Sequence, residues 1–338
     1  MQKGNQKMTI AEEFSQKMKA QNAKSKVIQI APVIVLIALM IFFMALEPSF
    51  LSAGNIRALL NQLSIPLILA LGLTFVVLMG SIDLSVDGVM GLAASLVSLL
   101  ILNDKNVVDL GFFGLILTIM VTGAIGLLSG FIHVKGRIPS FMVTFAMSSI
   151  AAGIGILSYQ GIPANIEYPL IKEIANNDIG GLVPITFLVA LGVFVITFII
   201  QRYTSHGRYI YAIGQNENIP RVSGVNVDKV KILTFMLAGI LIGVAGILSA
   251  GKLARGTILS GQNQLFPALT AVVVGGTSLS GGKGSVVNTL LGAAIVTVLQ
   301  NGLFMLGVEP EIQTGVQGLI ILAAVALSVT RGRKQVVK

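Results

Sequence analysis

Repeated apolar segments of about 17 to 25 residues run through most of this chain of 338 residues. A helix of that length crosses a hydrocarbon core of roughly 30 Å and satisfies its own backbone hydrogen bonds there. Hydrophobic residues make up 54% of the chain and charged residues 11%, which excludes an ordinary soluble domain. We therefore predict an all-α integral membrane protein with about ten transmembrane helices, centred on residues 27–46, 60–80, 86–102, 111–134, 138–158, 182–200, 230–250, 267–280, 286–306 and 312–329.

Glycine marks two features of this predicted bundle. The eighth apolar segment, 267–280, is short for a complete crossing and contains a Gly-Gly pair at 275–276, so we expect it to be broken or re-entrant against protein. Elsewhere, pairs of glycines stand four residues apart within single spans, a spacing that lets helix backbones approach closely. Packing between helices of the same chain is therefore expected at Gly126, Gly130, Gly239 and Gly243.

Charge predicts the orientation of the chain. If all ten segments cross, one side of the membrane carries 18 of the 23 Lys and Arg residues, and the other carries only Arg57, Lys105, Lys172, Lys252 and Arg255. Because basic loops are retained on the cytoplasmic side, both termini are predicted to be cytoplasmic. The chain then divides into a cytoplasmic N-terminal segment (1–26), a single transmembrane domain (27–329) with a long cytoplasmic loop (201–231), and a cytoplasmic tail (330–338).

Several classes of site are disfavoured by composition. The chain has no cysteine, which excludes disulfides, thiol nucleophiles and cysteine metal sites. The two histidines, His133 and His206, have no second ligand near them in sequence, so they are interpreted as residues of the membrane edge and no metal site is predicted. The basic residues are spread along several loops and not gathered on one surface, so nucleic acid is not expected as a partner. Membrane lipid is expected as a neighbour because of the apolar spans.

The stretch GGTSLSGGKGS, residues 275–285, looks at first like a phosphate-binding loop. A Walker A loop requires G-x-x-x-x-G-K-S/T, but Thr277 stands in place of its first glycine and Gly284 in place of its hydroxyl residue. The stretch is therefore interpreted as a tight turn between two membrane segments, with Lys283 at the membrane interface.

The stretch GSIDLSVDG, residues 80–88, places Asp83 and Asp87 between the second and third spans. An acid at membrane depth is a candidate for a proton or cation relay. Asp83, however, stands just before an apolar run, where its carboxylate can accept backbone N–H groups at the start of a helix. Capping is the preferred interpretation, because no intramembrane Lys, Arg or His pairs with either acid.

Polar groups inside the predicted spans are mostly neutral hydroxyls and amides. Such groups can exchange hydrogen bonds with an uncharged polyhydroxylated solute, and they can equally bond between helices. The candidate residues of a translocation pathway or gate are Asn61, Gln62, Ser64, Asp83, Ser85, Asp87, Thr144, Ser148, Gln300 and Asn301.

The polar loop 201–231 is the longest cytoplasmic connection and has two interpretations, a solvated connector or a docking element for a soluble partner. Its sequence predicts a short helix capped by Asn218, with Pro220 in its first turn and with Gly224 ending it. Arg221 would be exposed on this helix. Asn226 or Asp228 would then start the seventh span.

Four motifs of this chain resemble one family, the membrane-spanning permease subunits of bacterial ATP-binding-cassette (ABC) importers for ribose, galactose, xylose and related sugars. The resemblance covers nearly all of residues 33–329. Its motifs are EPSFLSAGNIRALL (47–60), GSIDLSVDGVMGLAA (80–94), RYIYAIGQNENIPRVSGVNVDKVKI (208–232) and AVVVGGTSLSGGKGSV (271–286).

The resemblance implies an ABC importer permease fold in the bacterial cytoplasmic (inner) membrane. It implies three partners: a second copy of the chain or a homologous permease, cytoplasmic ABC ATPases, and an extracytoplasmic sugar-binding protein. ATP and Mg²⁺ would bind to the ATPases, and this chain would bind no cofactor and have no catalytic site. The residues implied to couple to the ATPase are Gly214, Gln215, Asn216, Glu217, Asn218, Ile219, Pro220, Arg221, Val222, Ser223 and Gly224.

The chain departs from the family pattern at two of these motifs. Ile219 and Pro220 stand where small or helix-favouring residues are usual, and Ser81 and Asp87 replace two glycines of the usual GGIDLSVG. Two other functions stay open, an ion-gradient-driven secondary transporter and a membrane scaffold. A secondary transporter commonly needs a paired intramembrane ionisable site, and a scaffold does not need neutral polar residues along several spans.

Overall fold

The structure is a computed structural model that describes residues 31–330, with side chains described as far as residue 322. The predicted N-terminal segment 1–26 and the tail from 331 lie outside the described residues. Thirteen α-helices are described: α1 Ala31–Leu46, α2 Ala53–Leu78, α3 Val86–Leu100, α4 Phe112–Gly136, α5 Ser140–Tyr159, α6 Pro169–Asn176, α7 Ile185–Tyr203, α8 Ser205–Gln215, α9 Asn218–Val222, α10 Val227–Leu253, α11 Leu265–Val274, α12 Val286–Met305 and α13 Pro310–Thr330.

Six of the described helices are long and apolar enough to cross a membrane: α2, α4, α5, α7, α10 and α12. The other predicted spans correspond to α1, α3, α11 and α13. Strands are minor and form two antiparallel pairs of two residues each, β1 Ala164–Asn165 with β4 Arg255–Gly256, and β2 Asp178–Ile179 with β3 Val183–Pro184. The prediction of a mainly helical membrane protein is therefore confirmed, with these short strands added in its loops.

The connecting loops gather at two ends of the helix bundle. At one end, here called the basic end, the backbone N–H of Gly282 donates to the carbonyl oxygen of Leu78 over 2.9 Å. Loop 201–231 lies at the same end. At the opposite end β1 pairs with β4, and the Lys252 ammonium donates to the carbonyl oxygen of Asn61 over 2.7 Å.

Helices α2 and α10 are the most buried of the long helices and form the centre of the bundle. Helix α10 packs along α4 at the glycine pairs that the sequence singled out. A Cβ atom added at Gly126 would overlap the carbonyl oxygen of Phe235, and one added at Gly239 would overlap that of Thr122. The predicted packing of these glycines within the chain is therefore confirmed.

The eighth predicted span is broken and not re-entrant. Helix α11 has ten residues and a length of about 15 Å, half of what a membrane core requires. Residues 254–264 before it contain only β4 and a 3₁₀ turn, Ile258–Gly261. The segment starts at the opposite end of the bundle, where β4 pairs with β1. It is followed at the basic end by the turn in which Gly282 donates to Leu78. The segment therefore spans the bundle from one end to the other.

The third predicted span is interrupted as well. Helix α3 starts at Val86, and residues 81–85 before it have no helical structure. Two stretches without α-helix therefore interrupt the predicted spans, 81–85 before α3 and 254–264 before α11. Non-helical backbone is stable at this depth only where protein groups satisfy it.

Candidate functional site

Helix α9, Asn218–Val222, lies at the basic end between α8 and α10. The side chain of Asn216, and not that of Asn218, accepts the first backbone N–H, over 3.0 Å from Asn218. Asn218 itself is the first helical residue and follows the N-cap residue Glu217, so the predicted cap was wrong by one position. Gly224 ends the helix with φ of +82°, as predicted, and Asn226 caps α10 by accepting from the Lys229 N–H.

Pro220 is compatible with this helix because of its position. It is the third residue of α9, where backbone N–H groups have no partner within the helix, so the missing donor costs no hydrogen bond. Its ring is buried, whereas the two apolar residues around it point away: the exposed fractions of Ile219 and Val222 are 59% and 86%. Both residues belong to the set implied to couple to the ATPase, but sequence reasoning predicted exposure only for Arg221. The available signal was two apolar residues within a polar loop.

A network of ion pairs fastens α9 to the bundle. Glu217 pairs with Arg221 at 2.8 Å and with Lys231 of α10 at 2.6 Å, and Asp228 pairs with Arg221 at 3.3 Å and with Lys135 of α4 at 3.0 Å. Burial alone would raise the pKa of Glu217, but the hydrogen bonds from Lys231 and Arg221 outweigh it and lower that pKa below its ordinary value. Arg221 is half-exposed, as predicted, yet its guanidinium is engaged within the chain.

Helix α8 contacts the turns that follow α2 and α11, and its closest approach to both is at Gly214. A Cβ atom at Gly214 would overlap the carbonyl oxygen of Leu78 and the backbone nitrogen of Gly282. The Tyr211 hydroxyl donates to the carbonyl oxygen of Gly284 over 2.5 Å. Residues 281, 282 and 284 have positive φ, which confirms that the apparent phosphate loop is a tight turn. Displacement of α8 would therefore press directly on the turns that follow α2 and α11.

Three hydroxyls of α5 accept backbone N–H groups, two from the non-helical stretch before α3 and one from the first turn of α3. The N–H groups of Ile82, Leu84 and Gly88 donate to Ser140, Thr144 and Ser148, over 3.0, 2.9 and 3.1 Å respectively. These acceptors stand four residues apart and therefore lie on one helix face. Two of them were predicted as pathway residues, and Ser140 was missed although the spacing was visible.

The two acids near α3 have different partners. Asp83 accepts from the N–H and the hydroxyl of Ser85, over 2.8 and 2.6 Å, so it stabilises the turn that leads into α3. Asp87 instead reaches the broken span: its Oδ1 accepts from the N–H groups of Gln264 and Leu265, over 3.1 and 2.8 Å, at the start of α11. The prediction that Asp83 caps α3 was wrong, because the N-cap residue of α3 is Ser85 and Asp83 binds only that residue among those described. Asp87 accepts N–H groups at the start of α11, a helix that is distant from it in sequence.

The remaining predicted pathway residues lie in the parts of α2 and α12 nearer the opposite end. The carbonyl oxygen of Asn61 accepts from Lys252, the Ser64 hydroxyl donates to the Leu60 carbonyl over 2.8 Å, and Gln62 is exposed. Asn301 accepts from the side chain of Asn55 over 2.9 Å, and Gln300 beside it is half-buried. The structure thus separates them from the group around α3.

Among the described residues, no group of three or more His, Asp or Glu side chains is placed to hold a metal ion. The described residues include instead two stretches without α-helix, 81–85 and 254–264, within predicted spans. They also include the short helix α9 at the basic end, which exposes two apolar side chains. These features suit the passage of a solute and the transmission of movement from a partner.

Comparison with known proteins agrees with this arrangement. A family model described as "Branched-chain amino acid transport system / permease component" matches residues 55–325. The ribose import permease protein RbsC of Escherichia coli K12 is 34% identical over 300 residues, which cover 86% of this chain and 91% of RbsC.

Two further relatives come from Haemophilus influenzae. Its ribose import permease protein RbsC is 35% identical over 311 residues, covering 89% of this chain and 93% of that protein. Its xylose transport system permease protein XylH is 29% identical over 383 residues, covering 94% and 99%. No solved structure matches significantly. The chain is a multi-pass membrane protein and belongs to the family of transport system permease components that the matching model describes.

Proposed function

We propose that this chain is the permease subunit of an ABC importer and forms the translocation pathway for a monosaccharide or a similar small polyhydroxylated solute. The observation that carries the proposal is the match over most of the chain to permeases named for ribose import and xylose transport. The neutral hydroxyls and amides within the spans support an uncharged solute, because they exchange hydrogen bonds with it without a deep electrostatic trap.

The orientation that we propose has about ten spans and both termini in the cytoplasm of a bacterium, with the chain in its inner membrane. The five basic residues predicted outside lie in or beside the loops of the opposite end: Arg57 pairs with Asp178, Lys105 donates to the Ile162 carbonyl, and Lys172, Lys252 and Arg255 are nearby. The basic end, which carries loop 201–231, would then face the cytoplasm.

Partner subunits supply the energy in this proposal. A cytoplasmic ABC ATPase binds ATP and Mg²⁺, an extracytoplasmic sugar-binding protein delivers the solute, and a second copy of the chain or a homologous permease completes the pathway. ATPase movement enters through residues 214–224. The pair Ile219 and Val222 supports this docking site, because an exposed apolar pair on a cytoplasmic loop gains by burial against a partner.

The ion pairs support transmission of that movement. Because Glu217 and Arg221 pair with Lys231 and Asp228 of α10, a displaced α9 would carry α10 with it. The pair between Asp228 and Lys135 would pass the movement on to α4. Gly214 would carry the same displacement to the turns after α2 and α11, since its backbone is in contact with both.

Replacement of both Ile219 and Val222 by Glu tests the docking site. We expect the variant to fold and to insert, because both side chains are exposed, but to lose the ATPase during purification in mild detergent. The matched control is Ile162→Glu, an equally apolar residue in a loop of the opposite end with an exposed fraction of 72%. A double variant that retains the ATPase as well as the control does would contradict the assignment.

Charge reversal at Arg221 tests the transmission instead. The variant Arg221→Glu should retain the bound ATPase but hydrolyse ATP without proportional uptake, because α9 loses its attachment to Asp228. Normal coupling of hydrolysis to uptake in this variant would show that the network is not needed for transmission.

A further inference from the structure

The break in the eighth span exposes consecutive amide side chains. Residues 262–264 read Gln-Asn-Gln and stand between the 3₁₀ turn Ile258–Gly261 and helix α11. Gln262 and Asn263 are exposed, whereas Ser260 and Gly261 just before them are buried. Within the described part of the chain, the amide groups of Gln262 and Asn263 form no hydrogen bond.

These amides lie near mid-depth in the bundle. Asp87, which binds the backbone of Gln264, is next to Gly88, and Gly88 packs on Ser148 of α5. Ser148 stands eight residues after the start of α5 and eleven before its end, which places it about 12 Å from one end and about 17 Å from the other. A polar side chain at that depth is costly if it faces lipid without a partner.

Another exposed polar residue at this depth has its hydrogen bond satisfied within its own helix. Ser149 is the neighbour of Ser148 on α5, and its hydroxyl donates to the Phe145 carbonyl over 3.4 Å, within its own helix. The side-chain amides of Gln262 and Asn263 form no hydrogen bond of this kind within the described residues. The nearby Ser260 hydroxyl is also without a partner among the described residues, although only 3% of its residue surface is exposed.

Asp87 fixes the position of this amide segment. Its carboxylate accepts from two consecutive N–H groups, those of Gln264 and Leu265, and its own carbonyl lies against Gly261. Both ends of the amide segment are therefore attached to α3. An aspartate accepts these bonds more strongly than a neutral group, which suits a segment that must hold its shape beside a water-filled space.

We propose that Gln262 and Asn263 line the aqueous translocation pathway and contact the solute, and that Asp87 is the positioning residue that presents them. An amide offers two donors and an acceptor and carries no charge, which matches the hydroxyls of a polyhydroxylated solute. The Ser260 hydroxyl is a further donor at the same place. This inference rests on the proposed function and assigns its solute-contacting residues.

Chemical labelling tests the aqueous exposure of the segment without requiring transport. Because the chain has no cysteine, the single variant Gln262→Cys can be treated in the assembled complex with the membrane-impermeant reagent 2-sulfonatoethyl methanethiosulfonate, which reacts with thiolates in water. The matched control is Ser149→Cys, an exposed residue at the same depth. We expect rapid labelling at 262, little labelling at 149, and slower labelling at 262 in the presence of the sugar imported best by the wild-type complex.

Transport kinetics test the solute contact. The double variant Gln262→Ala/Asn263→Gly should raise KM for uptake about tenfold or more while the maximal rate changes less, as expected for loss of a hydrogen bond to a neutral group. Glycine is used at 263 because φ there is +60°. Asp87→Asn, which keeps an acceptor oxygen, should retain a lower KM than Asp87→Ala.

The outcomes separate this inference from the proposed function. An unreactive thiol at 262, labelling that the imported sugar does not slow, or an unchanged KM in the double variant would overturn the inference, even in a complex that imports sugar normally. A wild-type complex that shows no ATP-dependent uptake of any monosaccharide would overturn the proposed function, whereas labelling at 262 would still support a water-filled face there.

Discussion

The two interrupted spans solve the same physical problem in different ways. The stretch before α3 is stabilised by two neutral hydroxyls of α5, with a third bound to the first turn of α3, and Ser81, Asp83 and Ser85 within the stretch are buried. The stretch before α11 is attached through one carboxylate, Asp87, and leaves two amides exposed. Both satisfy backbone groups that would otherwise be unpaired within the membrane.

Under the assignment proposed above, this difference separates a packing element from a pathway element. The first stretch is enclosed by protein, and its polar groups form hydrogen bonds within the chain. The second keeps side-chain donors and acceptors that the fold does not use. Thr144 and Ser148, chosen from the sequence as pathway candidates, accept backbone N–H groups at the first stretch, and the residues that we propose for solute contact lie on the second.

The largest expected effect comes from removing the whole set of α5 hydroxyls. The triple variant Ser140→Ala/Thr144→Val/Ser148→Ala leaves three N–H groups without their acceptors, each at a cost of about 1–3 kcal/mol. We expect a collapse of thermal stability in detergent, measured by size-exclusion chromatography after heating. The control Ser149→Ala removes a hydroxyl that bonds only within α5, and it should behave as the wild type. Equal stability of the triple variant and the control would contradict this role.

Replacement of Asp87 by Ala should have the next largest effect. Two N–H groups at the start of α11 lose their acceptor, and the expected loss is about 2–6 kcal/mol of unfolding free energy at about 1–3 kcal/mol for each group. Asp87→Asn should recover much of this loss, because its amide oxygen still accepts. The free energy of unfolding in detergent distinguishes the two variants, and equal losses would show that charge, and not hydrogen bonding, stabilises the break.

A single hydroxyl substitution sharpens the comparison further. Thr144→Val preserves shape and removes the acceptor of the Leu84 N–H, so a loss of about 1–3 kcal/mol is expected. Thr144→Ser keeps the hydroxyl and should recover most of the stability. If serine is no better than valine, the methyl group and its packing carry the effect.

The smallest expected change in stability belongs to the exposed amides. Gln262→Ala removes a side chain that forms no described hydrogen bond, so the free energy of unfolding should stay within about 0.5 kcal/mol of the wild type. A loss as large as that of Thr144→Val would mean that Gln262 is part of the packed structure, and the contrast between the two stretches would disappear.

The long helices were accessible from the sequence because length and hydropathy alone determine a membrane span. Loop composition likewise predicted the glycine that ends α9. The breaks were harder, since 81–85 and 254–264 are stabilised by residues distant in sequence: Thr144 is 60 positions from Leu84, and Asp87 is 177 positions from Gln264. The acceptor role of Asn216 was missed for a different reason, because Asn216 and Asn218 are equally good acceptors of a backbone N–H by type.

The central claim is that ATP hydrolysis on partner subunits drives a solute through this chain. The direct measurement is uptake of labelled monosaccharides, including ribose and xylose, by vesicles that contain the chain with its ATPase and binding protein. We predict uptake that requires hydrolysable ATP on the side of α9 and that continues when ionophores collapse all ion gradients. Uptake that proceeds without ATP and stops with the ionophores would contradict the account and would identify an ion-driven secondary transporter.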